Sequence, residues 1–327
     1  MTPRIGIVTV LYNSAGVLPE FFETLGTQRY TNFILYIVDN KSPDDSLAVA
    51  RKLCASARFE TVVIENEENY GVAKGNNIGI KAALRDGCDR VLLSNNDIVL
   101  VPDTIECLVR ALESGKAWMA VPKIHFHGTN KIWYAGGCYT YFACSSLHYG
   151  IYQEDKGQFD KSRFVDYAPT CFMLIRKELF EEIGYMDEAY FVYYDDTDFV
   201  YRALRRGHNV LYVPESFLQH KESTSTGGKK SDFTLYYDTR NRIYFTLKHY
   251  TGIHFFLSKL YYLLIPCIKS VYRSTPHERL SAVRFGPARK IIERPSGLLP
   301  ENALQLYLFR SVPSLIVVVY STDSRRV

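Results

Sequence analysis

The first hundred residues alternate two kinds of segment, and that alternation constrains the fold more than any single motif. Ile5–Leu11 is a short, β-rich apolar run, as are Phe33–Val38, Thr61–Ile64 and Arg90–Ser94. Between them, Pro19–Thr27, Ser46–Ala57 and Gly75–Asp86 have helical spacing. Strand and helix in this rhythm predict a parallel sheet with helices on its faces. Such sheets bind ligands outside the carboxyl ends of their strands. Every polar cluster considered below falls at such an end.

The remainder of the 327 residues is less regular. The middle of the chain is aromatic-rich, with helical spacing at Arg176–Ile183 and Asp196–Arg206 and a β-like run at Val210–Pro214. Residues 222–232 are rich in Ser, Thr, Gly and Lys, the composition of a mobile loop. Phe233–Lys248 and Ile253–Arg273 again read as helices. The second is interrupted by Ser258, Lys259, Pro266 and Lys269, so it reads as an interfacial or packed amphipathic helix rather than a membrane span. The apolar run Ser314–Tyr320 has no assigned place.

Composition narrows the function. A hydrophobic share of 47% excludes a disordered chain. A net charge of +4 is too small to indicate nucleic-acid binding, though it suits an anionic nucleotide. Seven scattered cysteines without a C-x-x-C pair indicate neither a disulfide framework nor a zinc knuckle, and fit a reducing cytoplasm. Met1–Arg4 leads straight into an apolar segment, so no signal peptide is expected.

Five constellations could carry chemistry. Ser94-Asn95-Asn96-Asp97 closes an apolar strand. A carboxylate there can hold Mg²⁺ or Mn²⁺ against a diphosphate, and the same residues can equally form an Asx turn. Asp195-Asp196-Thr197-Asp198 opens a helix that includes Arg202. Three acids so close need a cation, a basic partner or solvent; one could act as a general base, and one could cap the helix. His220 follows a β-like run. Asn69 to Gly79 is a glycine-containing helix start, but neither a GxGxxG motif nor a P-loop. Last come two strand ends, Thr9–Ser14 and Asp39–Ser42.

In their joint order, from about Ile5 to Lys248, these clusters resemble the family-2 inverting glycosyltransferases of GT-A fold. Val8–Asn13 resembles the family's opening strand and turn, and Val38–Ser42 its nucleoside-binding strand end. Asn69–Gly79 resembles its Asn-x-Gly…Gly-Asn-Asn-x-Gly helix start, and Ser94–Asp97 stands in place of its Asp-x-Asp motif. Phe172–Arg176 and Gly184–Glu188 resemble the segment leading to the acceptor site. Asp195-Asp196 takes the place of the Glu-Asp pair, and His220 matches the late metal-binding histidine. Two departures are Asn95, where many relatives carry an Asp, and Asp195, where Glu is commoner.

The resemblance implies an α/β, GT-A fold with a mostly parallel central sheet and a C-terminal helical extension. Residues 1–222 would form the catalytic domain, with a nucleotide part at about 1–100 and an acceptor part at about 101–222. A flexible loop would follow at 223–232, then a helical region at 233–327. It implies Asp196 as the catalytic base, with Asp195, Tyr194 and Thr170 toward the acceptor. The donor would be held by Thr9, Leu11, Asn13, Asp39, Asn69, Gly71, Lys74, Asn77, Asn95, Asn96 and Arg240. Mg²⁺ or Mn²⁺ would sit on Asp97 and His220, and Lys229 and Lys230 would close over the diphosphate. The overall look is most similar to rhamnosyltransferases, which implies dTDP-rhamnose as first choice of donor. UDP-galactofuranose, UDP-glucose and UDP-N-acetylglucosamine stay open. The acceptor would be a growing bacterial polysaccharide or lipid-linked glycan, with the C-terminal helices resting on the inner face of the cytoplasmic membrane. A nucleotidyltransferase is disfavoured by Leu11–Gly16, which is no basic phosphate loop. A glycan- or nucleotide-binding module that has lost catalysis is the non-enzymatic alternative. Oligomeric state, acceptor and linkage are not specified.

Overall fold

The computed structural model describes residues 2–115, 117–140, 143–221, 232–252, 255–258, 305–310 and 316–321. Its first seven elements follow the order read from the sequence: β1 (Ile5–Leu11), α1 (Leu18–Gly26), β2 (Phe33–Asp39), α2 (Ser46–Ser56), β3 (Glu60–Glu65), α3 (Gly71–Arg85) and β4 (Arg90–Ser94). The four strands pair in parallel in the order β4-β1-β2-β3. β1 and β2 are buried along almost their whole length, the pattern of a parallel sheet covered on both faces.

α3 begins at Gly71 rather than at Gly75. The turn before it is made by Asn69, whose Oδ1 accepts the Gly71 N–H at 3.0 Å. The later glycines lie inside the helix, against β1. A Cβ on Gly79 would lie 2.3 Å from Val8 Cγ1, so the missing side chain is what lets helix and sheet approach this closely.

Beyond β4 the sheet mixes directions. The elements are β5 (Ile98–Leu100), α4 (Thr104–Glu113), β6 (Met119–Phe126), β7 (Ile132–Tyr134), β8 (Gly137–Thr140), β9 (Ser145–His148), β10 (Arg163–Val165), β11 (Phe172–Arg176), α5 (Lys177–Ile183), α6 (Asp195–Arg205), β12 (Val210–His220) and α7 (Asp232–His249). The full order is β10-β12-β6-β11-β4-β1-β2-β3. β11 runs antiparallel to both β4 and β6, and β12 runs parallel to β6. Two reversals restore the direction, so β6 and β12 end on the same edge as β1, β2 and β4. That shared edge carries the candidate site.

By its internal contacts the chain divides into two compact units, one of Met1–Thr140 with Cys144–Lys248, the other of Tyr141–Ala143 with His249–Val327. The sequence reading placed α7 in a separate C-terminal region, but it packs within the first unit. Its buried Asn241 donates to the carbonyls of Val192 and Tyr193 at 2.7 and 2.8 Å. Its Phe245 is fully buried among the rings of Tyr139, Tyr194 and Tyr201. In the second unit β13 (Gln305–Arg310) and β14 (Ile316–Ser321) pair antiparallel, so part of the stretch read as helical is strand. The Ser314–Tyr320 run supplies most of β14. The expected loop with Lys229 and Lys230, and most of the expected Ile253–Arg273 helix, lie outside the described residues. Among the described residues no helix is long and apolar enough to cross a membrane.

Candidate active site

Strand register builds the first part of the site. β5 pairs antiparallel with β12 so that Ile98 faces His220, and Asp97 immediately precedes Ile98. The Lys221 N–H donates to the Asp97 carbonyl at 2.9 Å and locks that end of the ladder. The two side chains meet, with His220 Nε2 lying 3.1 Å from Asp97 Oδ1 and 3.5 Å from Asn95 Nδ2. Burial alone pushes the Asp97 carboxyl up, but the hydrogen bond and charge of His220 outweigh it and hold the group below its ordinary value.

These residues fit a divalent cation. A carboxylate oxygen, an imidazole nitrogen and an amide converge on one point, a donor mixture that suits Mn²⁺ or Mg²⁺ completed by phosphate oxygens and water. Among the described residues no group of three or more His, Cys, Asp or Glu side chains gathers as a metal cage, so a cation held here would need further ligands from phosphate oxygens or water. His220 Nδ1 is buried and has no partner among the described residues. Ligating histidines usually donate their second N–H. Here the ring is held by packing instead, with Trp133 edge-on at 4.7 Å.

The second part is the start of α6. Tyr193 and Tyr194 both sit at φ 65°, a left-handed pair that swings the chain into the helix. Both are pinned from outside: Asn241 holds the Tyr193 carbonyl, and the Tyr194 hydroxyl donates to Cys144 O at 2.7 Å while accepting from Arg242 Nε at 2.8 Å. The three acids that follow have separate roles. Asp198 is fully buried and structural, paired at 2.7 Å with both Arg202 and Lys248. Asp195 is buried, and burial, then the charge of Asp196, pushes its carboxyl up. Asp196 is partly exposed, and burial raises it too. Its Oδ1 accepts from Thr197 N at 2.6 Å and Thr197 Oγ1 at 3.1 Å, and its Oδ2 from the Tyr167 hydroxyl at 2.8 Å.

Cys171, at the head of β11, ties the two parts together. Its carbonyl accepts the Asn95 N–H at 2.7 Å. Burial first, then the charges of Asp97 and Asp196, push its thiol well above the ordinary value, so both carboxylates lie within electrostatic reach of one buried residue. Thr170 is buried beside it.

Several residues expected to touch the donor also brace the fold. Thr9 and Leu11 are wholly buried in β1, and Leu11 contributes a carbonyl that accepts the Asn40 N–H. Asn96 donates to Val10 O at 2.8 Å and fastens the β4 end to β1. Asn77 exchanges hydrogen bonds with the Met186 backbone at 2.9 and 3.0 Å and donates to Glu188, which leaves its amide no donor for a ligand. Gly71, at φ 78°, lets the Phe191 carbonyl close on α3, where it accepts the Val72 N–H at 2.6 Å. Lys74 stands 3.5 Å over the Tyr70 ring. Arg240 donates through Nη1 to Ala189 O at 2.5 Å and Asn241 Oδ1 at 2.6 Å, and so also fastens α7. Tyr194, expected at the acceptor, has both sides of its hydroxyl engaged within the protein.

Two strand ends keep ligand-binding capacity. Asp39 is buried, and its carboxylate meets only the Ser42 N–H among the described residues, at 3.2 and 3.4 Å. Exposed Asn13 and nearby Lys41 hold φ of 55° and 52°, each two residues past its strand. Left-handed non-glycine residues of this kind cluster at ligand sites.

The model of the glycosyl transferase family 2 matches residues 6–184, more than half the chain. The chain belongs to that family. Family 2 membership makes it a glycosyltransferase. Its relatives include the low-salt glycan biosynthesis hexosyltransferase Agl10 of Haloferax volcanii, 28% identical over 74% of this chain and 75% of that protein. Another is the dTDP-rhamnosyl transferase RfbF of Shigella flexneri, 25% identical over 67% of this chain and 70% of that one. Among solved structures, a Pyrobaculum calidifontis mannosyltransferase in complex with GDP-Man and Mn²⁺ superposes with TM-score 0.56 at 14% identity, covering 86% of this chain and 79% of that one. GalNAc-T7 with UDP, GalNAc and Mn²⁺ gives 0.59 at 16% identity, where the match spans 73% of this chain and 47% of that one. At such identities the structures establish the fold alone, and it is the GT-A fold.

Sequence reasoning on the family 2 site missed Trp133, His148, Tyr167 and Cys171. None lies in a motif; each reaches the site through tertiary packing of β7, β9 and the β10–β11 link.

Proposed function

We propose that the protein transfers a sugar from a nucleotide-sugar donor to an acceptor hydroxyl with inversion, in one displacement. The observation that carries this reading is the Asp97–His220 pair, 3.1 Å apart at the carboxyl ends of β4 and β12, with Asp196 at the start of α6 acting on the same buried Cys171 as Asp97. Asp39 receives the base or ribose of the nucleotide, using the acceptor capacity that Ser42 leaves unfilled. Asp97 and His220 hold Mg²⁺ or Mn²⁺ against the donor diphosphate. A cation bound there supplies neutralisation of charge on the leaving nucleoside diphosphate. Asp196 takes the acceptor proton, and its raised pKa makes it a stronger base for that task. Asp195 orients the acceptor.

Our first choice of donor is dTDP-rhamnose, supported by the likeness to the Shigella rhamnosyl transferase. The acceptor on this reading is a growing polysaccharide or lipid-linked glycan, and the C-terminal region would rest on a membrane surface.

The test is a donor screen on purified protein. dTDP-rhamnose and the common UDP-sugars are offered with Mn²⁺, with Mg²⁺ and with EDTA. Metal-dependent release of one nucleoside diphosphate, lost in Asp196→Asn while donor binding survives, is the expected outcome. Turnover that persists in Asp196→Asn would remove that residue as the base. Failure to bind any nucleotide sugar would favour a binding module that has lost catalysis.

A further inference from the structure

Asp196 has unequal oxygens. An ionised carboxylate offers about four lone-pair sites. Oδ1 uses two of them, on Thr197 N and Thr197 Oγ1. Oδ2 uses one, on the Tyr167 hydroxyl at 2.8 Å. Apart from the backbone N–H of Asp196 itself, no other described residue bonds to this group, so the oxygen with the open acceptor position is Oδ2.

Tyr167 is built to hold that contact. It is buried, its ring stacks on His148 at 5.7 Å, and its carbonyl accepts the Tyr134 hydroxyl at 2.9 Å. His148 is in turn fixed against Trp133 and Tyr134, with Nδ1 lying 2.9 Å from the Trp133 carbonyl. A ring needed only to fill space would gain nothing from a hydroxyl, and a buried hydroxyl must find a partner. Here that partner is the carboxylate of α6. Burial, then the charge of Asp196, keeps the phenol well above its ordinary range, so it stays a donor.

We propose that Tyr167 is the positioning residue of the Asp196 base, fixing the carboxylate so that the acceptor proton is received on the open lone pair of Oδ2. The inference rests on Asp196 as the base. In the step, the acceptor O–H bond breaks and an Oδ2–H bond forms. The acceptor oxygen bonds to the anomeric carbon, and the bond from that carbon to the diphosphate breaks, its electron pair leaving with the nucleoside diphosphate. Asp196 then returns the proton to solvent. The titratable groups facing Asp196 are Tyr167 from the β10–β11 link, Cys171 at the head of β11, and Asp195 on its own helix.

The Tyr167 hydrogen bond favours the ionised carboxylate, so its removal raises the pH at which the base is lost. The experiment compares pH–rate profiles of wild type and Tyr167→Phe with the donor selected by the screen above. The acidic limb of kcat is expected to move up by about one pH unit, the scale of a hydrogen bond to a charged group. Turnover below both limbs then falls about tenfold, with donor KM unchanged. A limb that stays in place in a folded variant overturns the inference, whether or not kcat drops uniformly. If Tyr167→Phe does not fold, 3-fluorotyrosine at position 167 replaces it. Its more acidic hydroxyl is the stronger donor, so the limb must move down, and an unmoved limb is again fatal. Asp196→Asn separates the two failures. Retained turnover there means that Asp196 is not the base, whereas lost turnover with an unmoved Tyr167→Phe limb removes only the role of Tyr167.

Discussion

Asp97 and His220 stand 123 positions apart in the chain and 3.1 Å apart in space. The pairing of Ile98 with His220 sets that distance, so it does not depend on a flexible loop. If the pair holds the cation, His220→Ala leaves the Asp97 carboxylate and the Asn95 amide to do so. The half-saturating Mn²⁺ concentration for donor turnover should then rise by at least the ten- to hundredfold typical of weaker perturbations of a metal site. Titrating Mn²⁺ at fixed donor checks this, and an unchanged midpoint would place the metal elsewhere.

Trp133 touches the same imidazole without ligating anything, its ring 4.7 Å away and nearly perpendicular. With Nδ1 unpartnered among the described residues, this packing is what orients His220. Trp133→Leu should therefore raise the Mn²⁺ midpoint by about tenfold while Asp97 and His220 remain. If packing matters only for stability, the melting temperature falls and the midpoint stays.

The contrast between these two residues shows what a sequence makes legible. His220 lies past the run read as β-like and stands out only through the family resemblance, whereas Asp97 closes an apolar run, and a strand end of that kind can be found from periodicity. The four parallel strands were visible for the same reason, since each is a short local pattern. Trp133 is one aromatic in an aromatic-rich stretch, and only the pairing of β7 with β6 brings it into place. Asn77 and Asn96 are the opposite case. Their motifs singled them out, but their direction is set by Met186 and Val10, which no local pattern connects to them. Asp198 had a visible partner in Arg202 one helical turn away, while Lys248 comes from a helix that the sequence reading assigned elsewhere.

Asp195 links stability to pH. Its folded pKa is raised above the ordinary value near 4, chiefly by burial and then by Asp196. Between those two values the folded state holds a proton that the unfolded chain has released. Stability is accordingly lost as pH rises through that window. Asp195→Asn removes the term. Urea denaturation should show the variant gaining on wild type as pH rises above about 4, and no advantage below it. If Asp195 also orients the acceptor, kcat falls while donor affinity holds, a trade of activity for stability. A stability difference independent of pH would contradict the argument.

Lys248 tests whether α7 supports the site. Its ammonium lies 2.7 Å from Asp187 Oδ2 and 2.7 Å from Asp198 Oδ1, joining the last turn of α7 to the loop before α6 and to α6 itself. Lys248→Met keeps the apolar stem and removes the charge. Arg202 still pairs with Asp198, so the fold should survive, at a loss of about 1–3 kcal/mol in urea denaturation. The loss has a pH signature. Burial raises the Asp187 carboxyl, but the hydrogen bond and charge of Lys248, together with hydrogen bonds from the Ala189 N–H and the Tyr244 hydroxyl, outweigh it and hold the group below its ordinary value. A depressed carboxylate contributes stability above the unfolded pKa and loses it as pH falls through the folded one. The gap between wild type and variant should therefore be full at neutral pH and narrow below about pH 4. The catalytic consequence follows from Asn241, two turns earlier on the same helix, which holds the Val192 and Tyr193 carbonyls just ahead of Asp195 and Asp196. Loosening α7 should lower kcat and leave nucleotide affinity intact, because Asp39, Asp97 and His220 sit on other elements. Equal losses in both would show that α7 supports the fold as a whole rather than the acceptor side of the site.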